Sequence, residues 1–251
     1  MSRFFVPTDN FSENSVQITG TDVRHIKNVL RKQAGDVLTL SDSRGRLCEA
    51  EIVSLSDEKI VCRIVSERED DNEPRVPIVL LQGVPKGDKA ELIVQKTVEL
   101  GINAILPVIT ERTVVRLDSE ADREKKSARW QKIAAEAAKQ CGRGVIPEVS
   151  VAADFKDAVK SVTFGEYANY LKLIPYENET ENTLKAELQR EISNGISGII
   201  IFIGPEGGFS QKEVDFCVEN GFRPVTLGKR ILRTETAGLM TVAAIRYEIG
   251  D

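Results

Sequence analysis

Five consecutive apolar residues, Ile199-Ile200-Ile201-Phe202-Ile203, stand between two amphipathic segments, and this pattern limits the fold more than any other feature of the chain. A strand with one wet face alternates apolar with polar residues, whereas a strand apolar at every position has to be covered on both faces. The surrounding sequence repeats the arrangement. Residues 78–81, 104–109, 170–174 and 224–227 read as strands, and residues 89–100, 120–140, 154–162, 181–193, 211–220 and 235–249 read as helices. Strands alternating with helices predict an α/β domain built on a parallel sheet.

The first 68 residues follow a different pattern. Short β-rich pieces at 37–40, 48–53 and 59–65 are separated by turn residues at Gly35-Asp36, Ser43-Arg44-Gly45 and Ser56-Asp57, which predicts a small barrel or sandwich. One helical segment, 22–32, interrupts it, with Val23, Ile26, Val29 and Leu30 on one face and the cations Arg24, Lys27, Arg31 and Lys32 elsewhere. The charged stretch 67–77 contains Pro74 and Pro77 and lacks periodic apolar residues, as a linker does. The predicted division is therefore 1–70, a linker at 71–77, and 78–251.

A formal net charge of −5 argues against bulk attraction to nucleic acid, so any RNA would be held by local basic patches. The 199–203 run is far shorter than the roughly 20 residues of a membrane-spanning helix, and Pro7 interrupts any secretory apolar core, so a cytoplasmic location and no membrane partner are expected. The cysteines Cys48, Cys62, Cys141 and Cys217 are widely spaced, without a C-x-x-C pair, and imply neither a metal nor a redox motif.

In open α/β sheets ligands gather beyond the carboxyl ends of the strands, which directs attention to the segments after Ile203 and Leu227. The first is Gly204-Pro205-Glu206-Gly207-Gly208, followed by Ser210 and Glu213 at capping-box spacing. Three glycines in five residues let backbone amides approach a ligand, although a tight turn needs them equally. The spacing matches neither the dinucleotide nor the P-loop motif. The second segment runs from Leu227 through Gly228, Lys229, Arg230, Ile231, Leu232 and Arg233 to Thr234-Glu235-Thr236-Ala237, where Thr234 or a neighbour is expected to cap the last helix. An apolar pair among polar groups at a strand end suits a flat heterocycle, and also suits ordinary core packing.

These two stretches resemble the SPOUT class of RNA methyltransferases. The remainder of the chain narrows the likeness to the RsmE-type 16S ribosomal RNA (uracil-N3)-methyltransferases, through Arg3-Phe4-Phe5, His25-Ile26, Val29-Leu30-Arg31, Gln95-Lys96, Glu99-Leu100-Gly101, Glu136-Ala137, Gln140-Cys141 and Arg143. The resemblance implies a PUA-like β-barrel RNA-binding domain followed by an α/β domain with a deep C-terminal trefoil knot, a homodimer, and S-adenosyl-L-methionine held in the knot. It implies cofactor contacts from Gly204, Glu206, Gly207, Gly208, Leu227, Gly228, Ile231, Leu232, Arg233, Thr236 and Ala237, with Leu173 and Ile174 supplying a third wall. The implied substrate is a uridine of 16S rRNA near the decoding region, free or in the small ribosomal subunit. Related knotted enzymes methylate ribose 2′-hydroxyls or other bases, and a non-catalytic RNA-binding protein is a further alternative.

The acceptor N3 has to lose a proton, and the only histidine, His25, lies outside the α/β domain. Glu206 and Glu235 are the candidate bases, each equally suited to bracing a loop, and Arg233 is the candidate oxyanion stabiliser. Candidate RNA contacts are Arg24, Lys27, Arg31 and Lys32, then Lys86, Lys96, Arg112 and Arg143, with Arg31, Arg112 and Arg143 favoured by the resemblance. Trp130 shares an apolar stripe with Ile133, Ala134 and Ala137 and is expected in the core.

Overall fold

A computed structural model describes residues 3–68 and 72–250. Within the predicted linker, Glu69, Asp70 and Asp71 lie outside the described residues. The chain divides into two compact units, residues 1–73 with 138–146, and residues 74–137 with 147–251.

The first unit is a five-stranded sheet. Its strands are β1 (Arg3–Phe5), β2 (Ser15–Thr19), β3 (Val37–Ser41), β4 (Leu47–Leu55) and β5 (Lys59–Arg68), in the order β1-β3-β4-β5-β2. All neighbours are antiparallel except β1 and β3. Residues from all five strands share one buried cluster, including Phe4, Ile18, Leu40, Ile52 and Ile60, so the sheet curls around a single core. Val23 and Ile26 join this cluster from α1 (Thr21–Arg24) and the turn beyond it. The helix expected over 22–32 is shorter than its periodicity suggests. After Arg24 the backbone widens into a π-helical turn, His25–Val29, and Arg31 closes it at φ +52°. Widened turns and left-handed non-glycine residues are uncommon and concentrate at functional positions.

The second unit holds β6 (Ile78–Gly83), β7 (Ala104–Ile109), β8 (Glu148–Val149), β9 (Ala153–Asp154), β10 (Leu171–Pro175), β11 (Ile199–Ile203) and β12 (Arg223–Val225). The order is β12-β10-β11-β6-β7-β8, with β9 also on β7, and every pairing is parallel. The five β11 side chains are at most 2% exposed. Each contributes about 1.5–3 kcal/mol relative to remaining in water. Ile200 and Phe202 join the cluster that contains Val159 of α4 (Phe155–Ser161) and Val214 of α6 (Gln211–Glu219). The other helices are α2 (Lys89–Glu99), α3 (Glu120–Cys141), α5 (Leu184–Ile192) and α7 (Thr234–Ile249). On α7, Thr234, Ala237, Gly238, Thr241, Val242, Ile245 and Arg246 are buried, a continuous helical stripe, and Gly250 closes the helix at φ +78°.

The last residues of α3 and the turn after it belong to the first unit, although the sequence division puts all of 78–251 in the second. The reason is Glu73. Its carboxylate pairs with Arg143 at 2.7 Å and accepts the backbone N–H groups of Gly144 and Val145, while Ser41 donates to the Gly144 carbonyl. Trp130 of α3 is buried, as its stripe predicts.

Candidate functional site

Neighbouring β6 and β11 lead to opposite sides of the sheet, because the chain continues from β6 to β7 in one direction while β10 and β12 lie in the other. Ligands favour the crevice beyond the carboxyl ends at such a switch point. A cavity of about 440 Å³ lies there, lined by Pro175 at the end of β10 and Glu177 beyond it, Ile203 at the end of β11 and Gly204 to Phe209 after it, Lys89 of α2, and Ile231, Leu232, Arg233, Thr234 and Ala237. A second cavity, about 640 Å³, adjoins it and shares Pro175, Glu177, Ile231, Leu232 and Ala237. It is completed by residues that include Tyr176, Thr183, Leu227, Gly228 and Arg230.

The loop after β11 is tightly braced. Gly208, at φ +65°, donates its N–H to the Pro205 carbonyl. A Cβ on Gly204 would stand 3.2 Å from the Gly208 backbone. The capping box forms as its spacing predicts: Ser210 and Glu213 hold the start of α6, and Glu213 also accepts the N–H of Glu111. Arg112 donates to the Gly207 carbonyl at 2.7 Å. Glu206 accepts from Lys89 Nζ at 2.8 Å and from the Lys86 N–H at 3.1 Å. Burial alone would raise the Glu206 pKa, but the Lys89 hydrogen bond and the backbone donors outweigh it and hold the carboxyl below the usual range. Lys89 is correspondingly raised, chiefly by its hydrogen bond to Glu206. Its Nζ also stands 3.7 Å from Glu235 Oε2, a buried oxygen without a hydrogen-bond partner among the described residues.

The second motif is organised differently. Arg233 occupies the N-cap of α7 without a side-chain cap, and Thr234 is the first helical residue. Neither Thr234 nor its neighbour Arg233 caps the helix with a side chain, since Thr234 stands one position past the N-cap and its hydroxyl donates to the Gly204 carbonyl at 2.6 Å. Ile231 is 90% exposed at the rim.

The structure therefore brings Gly204, Glu206, Gly207, Gly208, Ile231, Leu232, Arg233 and Ala237 around the first cavity, and Leu227 and Gly228 beside the second. Thr236, exposed on the first turn of α7, lines neither cavity. Leu173 and Ile174 are wholly buried in β10, so the third wall begins one residue later, at Pro175. Lys89, Glu177 and Thr234 also line the first cavity, although none of them was expected among the cofactor contacts.

The expected RNA contacts separate into groups. Arg24 and Arg31 are exposed, Lys27 pairs with Asp57 at 2.6 Å, and Lys32 is 4.0 Å from Asp36. Lys86 and Arg112 are exposed where they hold the loop after β11, while Lys96 pairs with Glu99. Arg143 is 3% exposed and committed to Glu73, which removes it from the set of surface cations. Buried charge without such a partner would be strongly destabilising.

Comparison with known proteins agrees with this architecture. The RNA methyltransferase domain family matches residues 72–246, and the RNA methyltransferase PUA domain family matches residues 18–65. Ribosomal RNA small subunit methyltransferase E of Bacillus subtilis (strain 168) is 35% identical over 99% of this chain and 97% of its own. The crystal structure of a ribosomal RNA small subunit methyltransferase E from Neisseria gonorrhoeae, bound to S-adenosyl methionine, is 36% identical. It aligns with a TM-score of 0.83 over 98% of this chain and 97% of its own. A methyltransferase structure from Legionella pneumophila, in complex with the same cofactor, is 31% identical with a TM-score of 0.80 over 98% and 96%. A curled β-domain of the PUA type, a parallel α/β domain and a strand-end cavity formed by both motifs together make this chain a member of the RNA methyltransferase family.

Proposed function

We propose that the chain transfers a methyl group from S-adenosylmethionine to N3 of a uridine in 16S rRNA, near the decoding region of the small ribosomal subunit, in the cytoplasm. The observation that carries this reading is the convergence of both C-terminal motifs on one cavity of about 440 Å³, within the size range of small-ligand sites. Its lining suits the cofactor: Pro175, Ile231 and Leu232 offer apolar surface to a heterocycle, and the carboxylates of Glu177 and Glu206 complement positive charge. The relatives from N. gonorrhoeae and L. pneumophila hold that cofactor, and the B. subtilis relative bears the name of a small-subunit rRNA methyltransferase.

When bound, S-adenosylmethionine supplies a methyl group on a positively charged sulfur. The residues of this chain hold the two reactants in line, which accounts for much of the acceleration in such a displacement. Arg233, exposed at the cavity rim, steadies the uracil oxygen as N3 loses its proton. Glu206 braces its loop through Lys89. Glu235 lines neither cavity, and its Oε2, without a hydrogen-bond partner among the described residues, is buried 3.7 Å from Lys89 Nζ, so Glu206, which borders the cavity, is favoured as proton acceptor. Arg24 and Arg31 on the first unit, and Lys86 and Arg112 on the second, supply the phosphate contacts.

The reading includes a homodimer and the knotted threading of the family. Leu92 on α2 and Met240 and Tyr247 on α7 are exposed apolar residues on packed helices, as a self-association face requires. What supports the knotted threading is that the segment following β12 returns to earlier parts of the chain, Thr226 beside Thr183 and Thr234 on Gly204.

The test is to incubate the protein with labelled S-adenosylmethionine and either unmodified small subunits or free 16S rRNA, then locate the label by nuclease digestion and mass spectrometry. Label on N3 of a single uridine supports the proposal. Label on a ribose or another base overturns the target, and no label despite cofactor binding overturns the activity.

A further inference from the structure

Three segments that are distant in sequence meet at the end of β6. Gly83 lies so close to the loop after β11 that a Cβ there would stand 2.6 Å from Pro205 N and 2.5 Å from Pro205 Cδ. Beside it, Gln82 is 4% exposed and donates from Nε2 to Thr234 Oγ1 and to the Gly83 carbonyl, both at 3.0 Å. Thr234, also 4% exposed, donates its hydroxyl proton to the Gly204 carbonyl at 2.6 Å. A hydroxyl has one proton, so Thr234 Oγ1 has to be the acceptor of the Gln82 bond. The direction of the chain is therefore fixed from Gln82 through Thr234 to Gly204.

This orientation has a cost. Gln82 Oε1 is left buried without a hydrogen-bond partner among the described residues, near Gly238, where a Cβ would lie 3.5 Å away. Rotating the amide would set Oε1 against the Gly83 carbonyl, oxygen against oxygen. The orphaned acceptor is thus the consequence of aiming Nε2 at Thr234. Groups left unsatisfied inside a protein call for an explanation. Here the explanation is that the amide makes Thr234 Oγ1 an acceptor and so directs its hydroxyl proton to Gly204, which fastens the beginning of α7 to the loop after β11, and both ends of that Thr234–Gly204 bond border the cavity.

We propose that Gln82 and Thr234 are positioning residues, which set the cofactor-binding geometry by locking the two motif segments together through the Gln82–Thr234–Gly204 relay. The proposal rests on the reading that this cavity holds S-adenosylmethionine. Neither residue reacts. Without the relay, the Gly204 carbonyl and the first turn of α7 lose their mutual register, and the cofactor has to order them on binding.

The test uses the full-length protein with Thr234→Val, Thr234→Ser, Gln82→Met and the Gln82→Met/Thr234→Val pair. Cofactor affinity is measured by calorimetry, thermal stability by melting, and KM for cofactor and for small subunits by methyl transfer. Thr234→Val and Gln82→Met should each weaken cofactor binding about tenfold, the pair no more than either alone, and Thr234→Ser should restore near-normal affinity. The KM for small subunits should stay unchanged. Unchanged cofactor affinity in both single variants, beside a wild type that binds, overturns the relay alone. So does a Thr234→Ser loss equal to that of Thr234→Val, or a loss shared equally between cofactor and RNA with a collapse in melting temperature. A wild type that does not bind S-adenosylmethionine overturns the cofactor reading, and the relay's role with it. Gln82→Met probes the relay from its other end should Thr234→Val fail to fold.

Discussion

The two segments that border the cavity are built on opposite terms. From Gly204 to Ser210 the loop is held by neighbours at nearly every step: Thr234 on Gly204, Lys89 and Lys86 on Glu206, Arg112 on Gly207, and Glu111 on Ser210. From Leu227 to Arg233 the chain has few such ties. Gly228 donates its N–H to Thr226 Oγ1, Lys229, Arg230 and Arg233 are exposed, and Ile231 is almost fully in water. One wall is set before a ligand arrives, and the other retains apolar surface that only a ligand or another chain would cover. The division suits a site that has to orient a donor and then admit a large acceptor. A rigid wall lowers the ordering cost of binding, and a looser one gives access.

Substitutions can break this contrast from the braced side first. Gly83→Ala puts a Cβ inside contact distance of Pro205, and because backbone has to move, we expect a loss of about 1–3 kcal/mol in denaturant unfolding together with loss of cofactor binding. Glu206→Gln removes an ion pair of partial exposure and should cost up to about 1 kcal/mol near neutral pH. This difference has a definite pH dependence. The folded Glu206 pKa lies below its ordinary 4.5, so the carboxylate's contribution is present above that value and lost as pH falls through the folded pKa. Unfolding curves of wild type and Glu206→Gln should therefore converge in acid, and a constant gap would show that Lys89 does not hold the loop through this carboxylate.

Smaller effects sharpen the comparison. Arg112→Ala deletes one hydrogen bond to the loop from an exposed side chain, and about 0.5–1 kcal/mol of stability should go with it. RNA affinity should also become less salt-dependent, measured by titration at several ionic strengths. Ile231→Ala should leave stability within about 0.5 kcal/mol, as expected of an exposed residue. Cofactor affinity, followed by calorimetry, should nonetheless fall several-fold. A stability loss as large as that of Gly83→Ala would mean that the second segment is as firmly built as the first.

Much of this was legible in the sequence, for reasons that differ by element. The unbroken apolar run 199–203 announced a strand covered on both faces, and the Ser210 and Glu213 spacing announced the start of α6, because both signals are local. The short strands β1 and β2 carried too little pattern, since three or five residues owe their conformation to a partner strand elsewhere in the chain. The π-helical turn after Arg24 was read as plain helix because its apolar spacing satisfies either geometry. At the site, both motifs were visible, but their partners were not. Gln82, Glu177 and Lys89 come from segments without motif character and acquire meaning only when the sheet gathers them. Arg143 misled in the opposite sense: the resemblance favoured it as an RNA contact, and only the distant Glu73 makes it an internal cation.

The sharing of α3 between the two units carries a consequence for how such proteins can be recombined. The chain leaves the first unit after residue 73, returns to it at 138–146, and departs again for the α/β sheet. A single cut in the charged stretch near residue 70 would therefore not release an intact β-domain, since Glu73 and residues 138–146, including the Gly144 carbonyl that Ser41 holds, would remain with the other fragment. Transplanting either unit into another protein requires chain breaks at three points, after residues 73, 137 and 146, one of them within α3.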